Sequence, residues 1–138
     1  MIIVDTNLIS ELSKPEPDRN VLDWFSAQSP SKLYTTAINR AEIQLGIELL
    51  PSGKRRSALQ SAAERLFTLK FAGRILPFDS AAAIEFARVV ARCRGIGRPI
   101  GLLDAQIASI AAARGAPIAT RDTGFDQCGV EIINPWSS

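Results

Sequence analysis

The chain has 138 residues, 46% of them hydrophobic, and its 16 basic and 14 acidic side chains give a formal net charge of +2. That length and apolar content suffice for one domain, residues 1–138, whose core needs neither disulfides nor a structural metal. Histidine is absent, which excludes imidazole as base, as partner to a nucleophile and as metal ligand. Cys93 and Cys128 lack the C-x-x-C spacing of a zinc or dithiol site and read as two buried thiols.

Ile2-Ile3-Val4 is a β-branched run that reads as a buried strand, and it ends on Asp5. Thr6 or Asn7 is placed to cap a short helix through Leu12, which Pro15 and Pro17 stop. Asp18 with Val21, Leu22 and Phe25 marks a second helix, and Leu33–Thr35 a second strand. Thr36 caps a third helix carrying Ile38, Ile43, Leu45, Leu49 and Leu50 and ended by Pro51. Residues 53–71 read as a fourth helix, with Leu59, Ala62, Leu66 and Leu69 on one face and Lys54, Arg55, Arg56 and Arg65 toward solvent. Ile75–Phe78 is a third strand, and Asp79 caps the helix Ala81–Cys93. The glycines of the 95–101 loop neither fit G-x-G-x-x-G nor follow a strand, so they carry no argument for a dinucleotide. Leu102–Arg114 is a helix with Leu103, Ile107, Ile110 and Ala111 inward and Gly115 as its C-cap. Ile118–Thr120 and Val130–Ile133 complete the set. Strands alternating with helices predict an α/β domain with a mostly parallel central sheet flanked by helices.

Nothing in this pattern addresses a membrane. Met1 leads straight into a short apolar run without a basic leader, and the alanine-rich stretches at 81–91 and 105–113 are too short for a bilayer, so the expected location is cytoplasmic.

Four acidic residues fall at the boundaries of these elements: Asp5 after the first strand, Glu42 early in the third helix, Asp104 at a helix start, and Asp122 after a late strand. Converging at one end of a sheet, they would repel one another, and a hard divalent cation held by oxygen ligands relieves that repulsion. Without histidine the donors suit Mg²⁺ or Mn²⁺, ions that activate water and offset charge on a phosphodiester. Setting these four aside leaves 10 acidic against 16 basic residues, a balance of +6 that suits a polyanionic substrate. Lys54, Arg55 and Arg56 read as a solvated face. Arg98, ahead of Asp104, and Arg121, beside Asp122, are better placed to hold a substrate backbone. Trp24, Phe25 and Trp136 read as packing.

The segments Asp5-Thr6-Asn7, Arg40-Ala41-Glu42 with Leu45-Gly46-Ile47, Leu103-Asp104-Ala105-Gln106-Ile107-Ala108, Ala119-Thr120-Arg121-Asp122 and the closing 130–136 run together resemble a PIN domain. More narrowly they are similar to the VapC-type ribonuclease toxins of bacterial toxin–antitoxin pairs, in the FitB-like branch. The resemblance implies a Mg²⁺- or Mn²⁺-dependent endoribonuclease with Asp5, Glu42, Asp104 and Asp122 as metal-binding and catalytic positions. It also implies that Thr6, Asn7 and Thr120 hold metal-bound water or orient a carboxylate, with Asp126 as a substitute or helper for Asp122. Its implied partners are RNA, a cognate antitoxin with a DNA-binding domain, and a second copy in a homodimer. Two other readings compete. A haloacid-dehalogenase-type phosphatase wants a second Asp two residues after the first, where Asn7 stands, and a non-catalytic binding module would have no use for four intact carboxylates.

Overall fold

The computed structural model describes residues 1–137. Five strands form one sheet in the order β3-β2-β1-β4-β5, every neighbouring pair parallel: β1 Ile2–Val4, β2 Leu33–Thr36, β3 Ile75–Leu76, β4 Ile118–Ala119 and β5 Ile132–Ile133. The sheet is thus wholly parallel, with six helices: α1 Thr6–Leu12, α2 Arg19–Ser26, α3 Ala37–Glu48, α4 Lys54–Arg65, α5 Ser80–Gly95 and α6 Leu102–Arg114. Parallel strands need crossovers, and these helices supply most of them.

β1 sits at the centre because both of its faces are apolar. Ile3 packs with Ile107, Ile110, Ile118 and Phe125 on the α5–α6 side, while Val4 packs with Leu8, Ile9, Val21 and Phe71 on the other. A strand covered on both sides has no place for a charge until it ends. The order of strands reverses between β1 and β4, and that switch point opens a crevice at the carboxyl edge.

Most helix boundaries follow from their caps. Asp18, Thr36 and Asp79 accept hydrogen bonds from backbone N–H groups of the first turns of α2, α3 and α5. Gly115 ends α6 at φ +62°, a left-handed position that a Cβ would strain. The start of α1 differs from expectation: Asp5 occupies the N-cap position without making a side-chain cap bond, and Thr6 is already helical. The side chains of Thr6 and Asn7 are thereby free for other partners.

The apolar faces of two helices also differ. In α4 the buried residue is Ala63, followed by Phe67 and Phe71, whereas Leu59 is 38% and Leu69 70% exposed. Ala63 and Phe67, one α-helical turn apart, meet the α3 residue Ile47, and a π-helical turn over Leu66–Lys70 follows, after which Phe71 rather than Leu69 is buried. In α6, Ile107, Ile110 and Ala111 point inward as expected, but Leu103 is exposed. Cys93 and Cys128 are buried free thiols with their Sγ atoms 3.8 Å apart, and burial first, then Cys93, pushes the Cys128 thiol up to about 12. No helix among the described residues is long and apolar enough to cross a membrane.

Candidate functional site

Strand register sets the crevice. Val4 lies level with Ala119, and Ala119 with Ile133, so Asp5, Thr120 and Asn134 emerge side by side at the carboxyl edge. Thr120 Oγ1 donates to Asp5 Oδ2 at 2.8 Å, and Asn39 Nδ2 donates to Asp5 Oδ1 at 2.9 Å. Asp5 is 5% exposed and fixed at both oxygens. Burial raises its carboxyl above the ordinary value, the bonds from Thr120, the Thr6 backbone and Asn39 oppose the rise, and the charge of Asp122 adds to it.

Glu42 comes from the second turn of α3. Its Oε1 accepts from Thr6 Oγ1 at 3.0 Å, and Thr6 Oγ1 in turn accepts from Asn39 Nδ2 at 3.0 Å. Partial burial raises the Glu42 carboxyl, with Thr6 opposing and the charges of Asp5 and Asp122 assisting. Asn7 Nδ2 donates to Thr120 Oγ1 at 2.8 Å, while Asn7 Oδ1 is buried with no hydrogen-bond partner among the described residues.

Asp104 stands in the first turn of α6, whose Gly101 N-cap offers no side chain, so its charge also faces the positive end of the helix. Its carboxyl is nonetheless pushed up to about 7, by burial first and then by the charges of Asp122, Asp5 and Glu42, with the hydrogen bond that its protonated form donates to Asp122 contributing. All three other carboxylates therefore act on it. Asp122 is fixed from the loop side, its backbone N–H donating to Thr120 Oγ1 at 3.0 Å and its Oδ1 accepting from Gly124 N at 2.8 Å. Gly124 closes against the pair so tightly that a Cβ there would lie 3.0 Å from Asp122 Oδ1 and 3.3 Å from Asp104 Oδ2.

The structure thus brings together Asp5, Glu42, Asp104 and Asp122, with Thr6, Asn7 and Thr120 woven between them. Asp126 is exposed and does not figure among the charges acting on this group. Arg98 is exposed on the loop before α6. Arg121 does not pair with a site carboxylate; its guanidinium lies over the Trp136 ring, 4.8 Å from the centroid. Sequence reasoning missed Asn39, which is fully buried and held by Thr36 Oγ1 donating to its Oδ1 at 2.6 Å. Its signal was a Thr-x-x-Asn spacing directly after β2, which reads as an ordinary helix start.

The donor set fits a hard cation in kind. It consists of oxygens, it carries more negative charge than burial allows unpaired, and it includes the orphaned Asn7 Oδ1. Among the described residues no group of three or more acidic or thiol side chains is placed to hold an ion as it stands.

Comparison with known proteins gives a consistent neighbourhood. The model of the PIN domain family matches residues 2–131. The chain is 47% identical to VapC ribonuclease Y4jK of Sinorhizobium fredii, over 99% of this chain and 98% of that one. It is 39% identical to toxin FitB of Neisseria gonorrhoeae, over 99% of each. Among solved structures it resembles one of FitAB bound to the IR36 DNA fragment, with a TM-score of 0.93, 38% identity, and 100% of this chain and 97% of that one covered.

Proposed function

The chain belongs to the PIN domain family, and from that premise we propose that it is a divalent-metal-dependent endoribonuclease acting as the toxin of a toxin–antitoxin pair. The observation that carries this reading is the gathering of Asp5, Glu42, Asp104 and Asp122 from four separate elements at the switch point of the sheet. In this reading Asp5 and Asp104 are the principal ligands of Mg²⁺ or Mn²⁺, and Glu42 and Asp122 complete the set. A bound ion would supply charge neutralisation at the phosphate and an acidified water.

The chain's own groups divide the remaining work. Thr120 and Asn39 hold Asp5 at both oxygens, so that it meets a ligand without first losing rotamer freedom. Thr6 turns Glu42 toward the same point. Asp104, with its carboxyl raised to about 7, would give up its proton on taking up a cation, since a ligating carboxylate must be ionised. Arg98 and Arg121 stand at the rim for an anionic strand. Residues 1–138 act in this reading as one domain in the cytoplasm, as a homodimer, silenced by an antitoxin with a DNA-binding domain. Support for the partner comes from relatives named as toxins and from a neighbour solved as FitAB on DNA.

The test is cleavage of single-stranded RNA by the purified chain. Mg²⁺ or Mn²⁺ should sustain it, chelation should stop it, and Asp5→Asn should abolish it with the circular dichroism spectrum unchanged. Expression alone should slow growth, and coexpression with the neighbouring small gene should restore growth and yield an inactive complex. A folded Asp5→Asn variant with full activity would overturn the assignment.

A further inference from the structure

Thr120 and Asp122 both turn toward the carboxylates, so Arg121 between them turns to the opposite flank of the sheet edge. Trp136 waits there. It follows β5, which runs parallel to β4, and therefore leaves the sheet at the same edge as Asp5 and Asp122. Its ring packs against the cluster of Val4, Leu8 and Val21, and its carbonyl accepts from Asn20 Nδ2 at 3.0 Å, so the platform is anchored to the core and to α2.

Arg121 is exposed, its guanidinium lies over this ring, and it joins no ion pair among the described residues. A guanidinium stacked on an aromatic face keeps its charge and its in-plane donors, the fork that matches phosphate oxygens. The carboxylate one residue away has not captured it, although a free arginine beside a crowded acidic site would gain by swinging in. Trp136 holds it out. The result is a pre-oriented cation beside an anionic crevice, on a surface with a positive balance outside that crevice.

We propose that Arg121, positioned by Trp136, is a phosphate subsite that grips the RNA backbone on the α1–α2 flank of the carboxylate cluster, next to the phosphate being cleaved. This rests on the ribonuclease reading and adds the place where the substrate strand is held. The subsite is a binding device, so its loss raises KM and leaves kcat alone.

The experiment compares the full-length wild type with Arg121→Met, Arg121→Lys and Trp136→Leu. Affinity for a labelled single-stranded RNA is measured in chelator across a salt series, and cleavage kinetics with Mn²⁺. Arg121→Met should weaken RNA binding about tenfold, raise KM in proportion and keep kcat within about twofold. It should also flatten the dependence of log K on log salt by about 0.7, one single-strand phosphate contact. Arg121→Lys, which retains charge but not the fork, should fall between, and Trp136→Leu should mimic it. Wild-type affinity and slope in folded Arg121→Met would overturn the subsite while leaving the nuclease reading intact. So would a variant that loses only antitoxin affinity, which would place Arg121 on the partner surface. A wild type that neither binds nor cleaves RNA would overturn both.

Discussion

Asp5 keeps its orientation through donors that come from β4 and α3, and each can be removed separately. Asn39→Ala deletes the bond to Asp5 Oδ1 and the one to Thr6 Oγ1, and leaves buried acceptors without donors. We expect a loss of about 1–3 kcal/mol in urea denaturation and a clear fall in RNA cleavage. Asn39→Asp should be worse, since it adds a carboxylate against Asp5; a stable, fully active Asn39→Asp would remove Asn39 from this role. Asp104 allows a prediction from pH. Its folded carboxyl lies near 7 against an ordinary 3.8, so between these values the native state holds a proton that the unfolded chain has lost. Metal-free stability should therefore fall as pH rises from about 4 to about 7 and level off above, the penalty then being complete. Asp104→Asn should flatten that slope in a pH series of melting curves, and an unchanged slope would assign it elsewhere. The four carboxylates were legible in sequence because they lie beside element boundaries, Asp5 and Asp122 just after strands and Glu42 and Asp104 in the opening turns of helices. Asn39 and Gly124 were not, since one looks like a polar helix start and the other like a turn glycine, and only the fold shows what they touch.

At the scale of elements the caps were readable and the buried faces less so. Asp18, Thr36 and Asp79 cap as their positions implied, because a cap is a local bond between near neighbours in sequence. The face of α4 depends on what it meets. The expected stripe through Leu59 and Leu69 gives way to one through Ala63 and Phe67, set by what α3 presents, and beyond the π turn at Leu66–Lys70 Phe71 is buried in place of Leu69. Likewise Thr6 and Asn7 could not be separated from capping roles until Asp5 was seen at the N-cap, its carboxylate turned to Thr120 and Asn39. Two caps can be set against each other. Asp79→Ala should cost about 1 kcal/mol of stability and leave RNA cleavage untouched, since α5 bears none of the carboxylates. Thr36→Ala removes a cap of the same kind and also the hydroxyl that holds Asn39 Oδ1. It should cost stability and activity together. Equal activity in the two variants, measured at a temperature where both are folded, would show that the α3 start does not communicate with Asp5.

For the whole molecule the carboxylate cluster is a conflict that the rest of the fold sustains. The sheet fixes Asp5, Thr120 and Asp122 by register, α3 and α6 bring Glu42 and Asp104 against them, and the two apolar clusters on either side of β1 prevent the elements from moving apart. Repulsion is therefore stored in the native state and released only by unfolding, by protonation or by a bound cation. Neutralising one member should relieve it. Because Asp104 is only partly buried, solvent discounts the gain, and we expect Asp104→Asn to raise the metal-free melting temperature by a few degrees, on the order of 1 kcal/mol. The same change removes a ligand, so the response to metal should move the opposite way. A cation that binds only the folded state stabilises the wild type by about 2.7 kcal/mol at a hundredfold excess over its dissociation constant, and most of that shift should vanish in Asp104→Asn. The two curves, melting temperature against Mn²⁺ concentration, should consequently cross: the variant more stable without metal, the wild type more stable with it. A purely structural Asp104, serving only the dipole of α6, gives a variant that is less stable at every Mn²⁺ concentration and a pair of parallel curves.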